Sequence, residues 1–385
     1  MSEAATPDPR SAASEPPFGV NEMRLTGRHW LVVAAMVLAF VALAPLLWAR
    51  LERFEPGPEY RVPYTLSADY WLYQRRLAAV PADAIPVVGD SVVWGEYVRA
   101  DGSLSRFLSR EAGLPGRFAN CGIDGVFPLA IEGLLSHYGG ALRSRKALLQ
   151  CNMLWMSSPR SDLSSDKEET FNHTSLVPQR FGAVPCYRAD AAARLGAAVA
   201  RSVGFFGWVN HLNSRYFEQT SLPRWTLQED GDLPAHPNAW RLPGPPLSLY
   251  EPASDPQRGP GSRRHRPWSA GGRSPQSFEW VGLDASLQWA AFRRTVALLR
   301  ERGCDAMVVV GPFNEPMVAP EQRPRFRAMR DGIADWLQRS GVAHVVPETL
   351  PSALYADASH PLTEGYAELA RRLWQDEEFR TWAVR

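Results

Sequence analysis

The sequence predicts an α/β fold built on a parallel sheet, and three observations indicate it. Short apolar runs alternate with helical patterns along most of the chain, the order typical of a parallel sheet with helices on its faces. One run, residues 304–312, is apolar almost throughout, as expected for a strand that is covered on both sides. Three runs end at Ser91, Gly122 and Asn152, and ligands of such sheets bind beyond the carboxyl ends of the strands. We therefore expect a site at that end of the sheet.

The start of the chain predicts a membrane anchor. Residues 1–28 are rich in Ser, Ala, Pro and Glu and predict a disordered tail. The run Trp30–Trp48 carries no charge, is long enough to cross a hydrocarbon core of about 30 Å, and has Trp at both ends, where interfacial aromatic residues belong. It is long for the core of a signal peptide, and its candidate cleavage motif, Ala42–Ala44, lies inside it. We therefore expect one retained transmembrane helix over residues 29–50.

The charges that flank this helix do not set its orientation, because arginines lie close to both of its ends. They are Arg10, Arg24 and Arg28 before the helix and Arg50, Arg53 and Arg61 after it. We expect a single-pass membrane protein with an extracytoplasmic C-terminal domain, since a large domain is the part that usually needs anchoring at an envelope.

The remaining chain predicts one α/β domain interrupted by a long insertion. A stalk and a helical approach are predicted over residues 51–83, the two parts of the domain over 84–156 and 281–385, and the insertion over 157–280. Apolar periodicity, with glycine or proline at the boundaries, locates the elements. Strands are predicted at residues 86–89, 117–125, 146–152, 304–312 and 343–346. Helices are predicted at residues 70–80, from about 92 to 113, and at 126–138, 284–302, 323–340 and 365–374.

The insertion breaks the regular alternation of strands and helices. It holds many prolines, and helices are predicted within it at residues 190–203 and 207–217. The second of these helices and the residues just before it carry large apolar side chains that we expect to be buried. These are Phe205, Phe206, Trp208, Val209 and Leu212.

The stretch Pro86–Gly95 carries the first candidate for chemistry. A buried β-branched run passes through a Gly-Asp-Ser turn into the start of a helix, which lifts the Ser91 hydroxyl above the carboxyl end of the sheet. At that place the helix terminus stabilises negative charge, and the Ser91 N–H can serve an oxyanion. Gly-Asp-Ser is also a common turn sequence, so the motif alone leaves a structural role open.

A second candidate lies near the C-terminus. Asp357 precedes His360 by three positions on a short loop, where its carboxylate can hydrogen-bond the imidazole and leave the other ring nitrogen facing a hydroxyl. Thr363 is the expected N-cap of the helix that follows. We therefore expect His360 and Asp357 to be the partners that Ser91 needs.

Four short motifs together resemble the SGNH/GDSL superfamily of serine hydrolases and acyltransferases. They are Gly89-Asp90-Ser91, Asn120-Cys121-Gly122, Gln150-Cys151-Asn152 and Asp357-x-x-His360. The resemblance implies Ser91 as nucleophile, His360 and Asp357 as its partners, and the N–H groups of Ser91 and Gly122 with the Asn152 side chain as oxyanion donors. In the third motif only the asparagine of the usual Gly-x-Asn-Asp is present. The resemblance also implies a flavodoxin-like three-layer sandwich with strand order 2-1-3-4-5 and no metal or organic cofactor.

The resemblance implies an esterase, and the composition limits its partners. A formal net charge of +1 gives no electrostatic basis for nucleic-acid binding. We expect the substrate to be an acylated carbohydrate or lipid of the cell envelope. Two alternatives stay open. One is an O-acyltransferase that modifies an exported polysaccharide together with a membrane-bound O-acyltransferase, because a single span followed by such a domain resembles the layout of envelope O-acylation proteins. The other is a non-catalytic envelope binding protein.

Overall fold

A computed structural model of the protein describes residues 25–177, 184–216, 265–272 and 274–385, together with the backbone of Leu247–Ser248. Most of the tail predicted over residues 1–28 lies outside the described residues. The chain divides into two compact units, one ending at Trp48 and the other beginning at Ala49.

The helices, in chain order, carry the following bounds. They are α1 Gly27–Leu51, α2 Tyr70–Ala78, α3 Ser91–Trp94, α4 Leu104–Glu111, α5 Pro128–Tyr138, α6 Pro159–Asp162, α7 Ala191–Ser202, α8 Gly204–Tyr216, α9 Leu287–Glu301, α10 Arg323–Arg339, α11 Thr363–Gln375 and α12 Glu377–Val384. Helix α1 has 25 residues, and an 18-residue window within it has a mean hydropathy of 2.6, so it is long enough and apolar enough to span a membrane. The expected apolar helix is therefore present, and its orientation stays a prediction.

The second unit is built on a five-stranded parallel sheet. Its strands are β1 Ile85–Gly89, β2 Phe118–Gly122, β3 Lys146–Cys151, β4 Asp305–Val310 and β5 Ala343–Val345. They are arranged in the order β2-β1-β3-β4-β5, which confirms the predicted α/β class with a parallel sheet. The register brings the carboxyl ends of the strands level, with Gly89 beside Gly122 and Cys151 beside Val310.

Helices cover both faces of the sheet, which gives three layers. Along β1, Val88 packs into one apolar cluster while Ile85 and Val87 pack into another, because successive side chains of a strand point to opposite faces. Helices α2, α5, α9 and α10 contribute to the first cluster. Helices α3, α4, α11 and α12 contribute to the second.

The main departures of the core-domain helices from the sequence predictions concern three places. The helix predicted from about residue 92 to 113 stops at Trp94, because Gly95 adopts a left-handed conformation with φ 92°, and helix resumes only at Leu104. Thr363 is the first residue of α11 rather than its N-cap, a position that Leu362 occupies without a side-chain cap. The chain also forms α12 after the helix that was predicted to close the domain.

The helices of the insertion depart from prediction in what they bury. Helix α8 begins at Gly204, earlier than predicted, and the last residue of its predicted range, Phe217, lies outside the described residues. Trp208 is buried as expected, whereas Phe206 and Val209 are 44% and 41% exposed. The prediction that these two side chains are buried is therefore wrong.

Candidate active site

Ser91 stands at the carboxyl end of β1 as the first residue of α3. Asp90 caps this helix, since its Oδ1 accepts the N–H of Val92 at 2.8 Å. Gly89 has no room for a Cβ, which would collide with the side chains of Val93 and Gln150. The strand, the glycine and the cap together hold the Ser91 hydroxyl at the end of the sheet, half-buried.

The three residues predicted as a triad lie in one continuous chain of hydrogen bonds. Ser91 Oγ lies 2.8 Å from His360 Nε2, although 269 positions separate them in the sequence. His360 Nδ1 lies 2.8 Å from both carboxylate oxygens of Asp357. Asp357 Oδ1 is itself fixed by the backbone N–H groups of Ser359 at 3.0 Å and His360 at 2.9 Å. The loop that carries Asp357 therefore holds the imidazole in one orientation.

The charges around His360 favour its protonated form. Burial lowers the pKa of His360, but the hydrogen bond and charge of Asp357 outweigh burial and, with the charges of Glu96 and Asp90, raise it to about 9. Burial raises the pKa of Asp357, and the hydrogen bond to His360 reverses this and lowers it below its usual value. A pKa of about 9 favours the imidazolium form of His360 beside the Asp357 carboxylate at neutral pH. Only the neutral form of the ring could accept a proton from Ser91.

A second carboxylate, which the sequence analysis did not single out, faces the same ring. Glu96 Oε2 lies 3.2 Å from His360 Nε2, on the side where Ser91 Oγ also lies. The next residue, Tyr97, has a left-handed backbone with φ 64°, and its ring meets the His360 ring edge-on at 5.4 Å. Burial raises the pKa of Tyr97, and the charges of Glu96 and Asp357 add to this effect. The early end of α3 at Gly95 is what turns these two side chains toward His360.

Two of the three predicted oxyanion donors have other partners in this structure. The N–H of Gly122 donates to Asn120 Oδ1 at 3.1 Å, and a Cβ at Gly122 would collide with the backbone N of Trp94. Gly122 therefore serves close packing of β2 against α3. The remaining predicted backbone donor, the Ser91 N–H, is the first amide of a helix and has no acceptor within that helix.

The Asn152 side chain is buried and holds Asp90. Its Nδ2 donates to Asp90 Oδ2 at 2.9 Å, and its Oδ1 accepts the N–H of Leu154 at 3.0 Å. Trp155 Nε1 donates to the same Asp90 oxygen at 2.8 Å. Burial raises the pKa of Asp90, although these hydrogen bonds oppose it. Asn152 thus ties the end of β3 to the residue that precedes Ser91.

The insertion borders the site on two sides. His173 Nε2 donates to the carbonyl of Asp124 at 2.8 Å, and its Nδ1 accepts the hydroxyl of Tyr70 at 2.8 Å. Burial raises the pKa of Asp124 to about 6, and the charge of Glu96 adds to this effect.

On the other side, the N–H of Trp268 donates to the carbonyl of Tyr355 at 2.8 Å, and the rings of His265 and Tyr97 lie 4.5 Å apart. These insertion residues carry no motif, and only the fold brings them to the rim of the site.

Comparison with known proteins does not assign a function, so a functional proposal rests on the geometry of the site. No protein-family model matches this chain. No match is found among curated proteins. The fold and the site describe an α/β protein whose parallel sheet carries a serine, a histidine and an aspartate in hydrogen-bond contact.

Proposed function

We propose that this protein is a membrane-anchored serine esterase of the SGNH/GDSL type, acting on acyl esters of envelope carbohydrate or lipid. The observation that carries the proposal is the unbroken hydrogen-bond chain from Ser91 through His360 to Asp357, with Ser91 half-buried at the carboxyl end of β1. A nucleophile, a base and a group that orients the base are the minimum for acyl transfer.

The proposed reaction proceeds in two steps. Neutral His360 takes the proton of Ser91 as Oγ bonds to the ester carbonyl carbon, and it then gives that proton to the departing alcohol as the C–O bond breaks. Water loses a proton to His360 in the second step, attacks the acyl-enzyme and releases the acid. The Ser91 N–H supports the oxyanion. The Gly122 N–H and the Asn152 side-chain amide also donate to the oxyanion once each gives up the hydrogen bond that it makes in this structure.

Transfer of the acyl group to a sugar hydroxyl, together with a membrane-bound O-acyltransferase, is the second candidate. Residues of the insertion lie beside the site, and this favours transfer, because transfer requires that water be kept from the acyl-enzyme. The partition of a trapped acyl-enzyme between water and an added glycan distinguishes hydrolysis from transfer.

A fluorophosphonate probe tests the chemistry shared by both candidates. We expect the native protein to be labelled at Ser91 and the Ser91→Ala variant to lose labelling. Asn152→Ala should slow labelling by about 10²–10³-fold, the effect of losing one oxyanion donor. Ser359→Ala is the matched control, because it removes only a buried hydroxyl beside His360 that takes no part in the hydrogen-bond chain and keeps the backbone N–H that bonds Asp357. Undiminished labelling of Ser91→Ala would show that the nucleophile is elsewhere and overturn the proposal.

A further inference from the structure

Helices α7 and α8 follow each other in the insertion, separated only by Val203, and together present an apolar surface to the outside. We call this surface the outer stripe and define it by Leu195, Val199, Phe206 and Val209, which are 66%, 40%, 44% and 41% exposed. Helix α7 has no buried residue at all. An exposed apolar surface of this kind on one element marks a contact with something apolar.

The two arginines of α7 bond backbone carbonyls of the protein. Arg194 Nε donates to the carbonyl of Ala189 at 2.8 Å, and its guanidinium lies 4.9 Å from the centre of the Tyr187 ring. Arg201 donates to the carbonyl of Val177 at 3.0 Å. A helix on a water-exposed surface shows the opposite arrangement, with its apolar side inward. The exposed apolar side chains of α7 are therefore on its outer side, while its two arginines bond the protein.

The two helices carry no carboxylate that an anionic surface would repel. Residues 191–216 contain arginine at three positions and no Asp or Glu. Exposed apolar side chains with no carboxylate among them fit helices that lie in the headgroup region of an anionic bilayer, which would repel acidic groups.

Helix α8 is also tied to the residue that directly follows the apolar helix α1. Glu52 comes next after Leu51, the last residue of α1. The Glu52 side chain is fully buried, and its Oε1 accepts the hydroxyl of Tyr216 at 2.6 Å and lies 2.9 Å from His211 Nε2. Consecutive Cα atoms are about 3.8 Å apart, so the end of α8 lies close to the point where α1 ends.

We propose that the outer stripe of α7 and α8 lies in the interface of the bilayer that α1 enters. The inference rests on the membrane anchoring in the proposed function and deepens it, because a second contact would fix the orientation of the domain on the membrane. A lipid surface is the occupant that the position next to Leu51 and the absence of acidic side chains both favour. A membrane protein or a second copy of this chain would instead protect the stripe only when that partner is present.

The test uses the full chain in vesicles of phosphatidylethanolamine and phosphatidylglycerol. A nitroxide label is attached in separate variants at Leu195→Cys, Phe206→Cys and, as the matched control, Val384→Cys. Val384 is 67% exposed on α12, a helix that Arg117, at the amino end of β2, joins by a hydrogen bond to Ala383. The four native cysteines are buried, and the unsubstituted chain measures any labelling of them.

We expect the labels at positions 195 and 206 to collide readily with oxygen and to lose contact with a water-soluble nickel complex. The label at position 384 should show the reverse. Equal access of the nickel complex at all three positions would overturn the proposal, and so would protection that appears only at a high ratio of protein to lipid. Failure of the chain to float with the vesicles would remove the anchoring itself. Fluorophosphonate labelling of the same samples reports the proposed chemistry independently.

Discussion

Two histidines in this protein stand between carboxylates in nearly the same way. His360 has Asp357 at Nδ1, 2.8 Å away, and Glu96 at Nε2, 3.2 Å away. His211 has Asp69 at Nδ1, 2.6 Å away, and Glu52 at Nε2, 2.9 Å away. Burial lowers the pKa of each histidine, but the carboxylates outweigh burial and raise both to about 9. By charge and geometry alone the two clusters are hard to tell apart.

Their surroundings separate them. The side chains of Asp357 and Glu96 are 32% and 23% exposed, and the ring nitrogen beside Glu96 also reaches the hydroxyl of Ser91. In the other cluster, the side chains of His211, Asp69 and Glu52 are all fully buried.

Arg75 and Tyr216 close this second cluster by bonding Glu52, and the ring of Trp71 lies 4.4 Å from that of His211. A charged histidine–carboxylate pair therefore stabilises the fold where it is fully buried. Where it contacts an accessible hydroxyl, it is a candidate catalytic pair.

The largest expected difference comes from the same substitution in both clusters. Asp357→Asn should lower kcat by about 10⁴-fold, because the amide no longer holds His360 in the tautomer that accepts the Ser91 proton, and it should also lower stability, because it removes the charge paired with His360. Asp69→Asn should leave kcat nearly unchanged and lower the free energy of unfolding, because it removes a buried charge from a buried pair. Ester hydrolysis and chemical denaturation of both variants measure the two effects.

Equal losses of activity in both variants would break the comparison. Asp69→Asn keeps an oxygen that can cap α2, as Asp69 does now through the N–H of Leu72 at 2.9 Å. Its effect on stability therefore reports the charge and not the cap.

His211→Gln should give the next largest effect, on stability alone. The substitution leaves two buried carboxylates without their shared cation, which should lower the free energy of unfolding by about 3–5 kcal/mol. Since the folded pKa of about 9 lies above the ordinary value of 6.5, the stability from His211 is fully present below pH 6.5 and lost as the pH rises through 9.

The variant should accordingly lose part of the fall in stability that the native protein shows between pH 6.5 and pH 9. The remainder of that fall comes from His360, whose folded pKa is raised in the same direction. His344→Gln is the control, because this half-buried histidine bonds only a backbone carbonyl among the described residues. If His211→Gln left the dependence of stability on pH unchanged, His211 would not stabilise the fold as a cation between Asp69 and Glu52.

The same contrast explains what the sequence could predict. Ser91, and Asp357 with His360, each sit in a local pattern, a strand ending in a tight turn or a loop before a helix, so their proximity followed from a parallel sheet with both at its carboxyl end. Glu52, Asp69 and His211 have no such pattern, because 142 to 159 positions separate the histidine from its carboxylates. Their contact depends on how the insertion packs on α2.

Glu96 was missed for a different reason. The apolar spacing after Ser91 continues past Gly95, so the helix was predicted to run on, and a longer helix would carry Glu96 away from His360. Phe206 and Val209 were predicted to be buried because large apolar side chains in a soluble domain usually are, and a surface contact with lipid has the same sequence signal.

Glu96→Gln should give the smallest of the expected effects, and it tests how the pKa of His360 is set in comparison with that of His211. His360 accepts the Ser91 proton only when neutral, so activity should rise with pH as the ring deprotonates. The Glu96 charge raises the pKa of His360. Removing it should therefore move the rising limb of the kcat/KM profile down by about 1 pH unit, and raise activity at neutral pH by up to about tenfold.

The other charged groups that face His360, namely Asp357, Asp90 and Asp124, stay in place in this variant and hold the remaining shift. Glu132→Gln is the control, since Glu132 pairs with Arg294 on the outer helices α5 and α9. An unshifted limb with lower activity would mean that Glu96 contacts substrate rather than tuning the base. A limb shifted downward would mean that the charge of one neighbour, Glu96, is enough to change the protonation state of His360 near neutral pH. In this respect His360 would differ from His211.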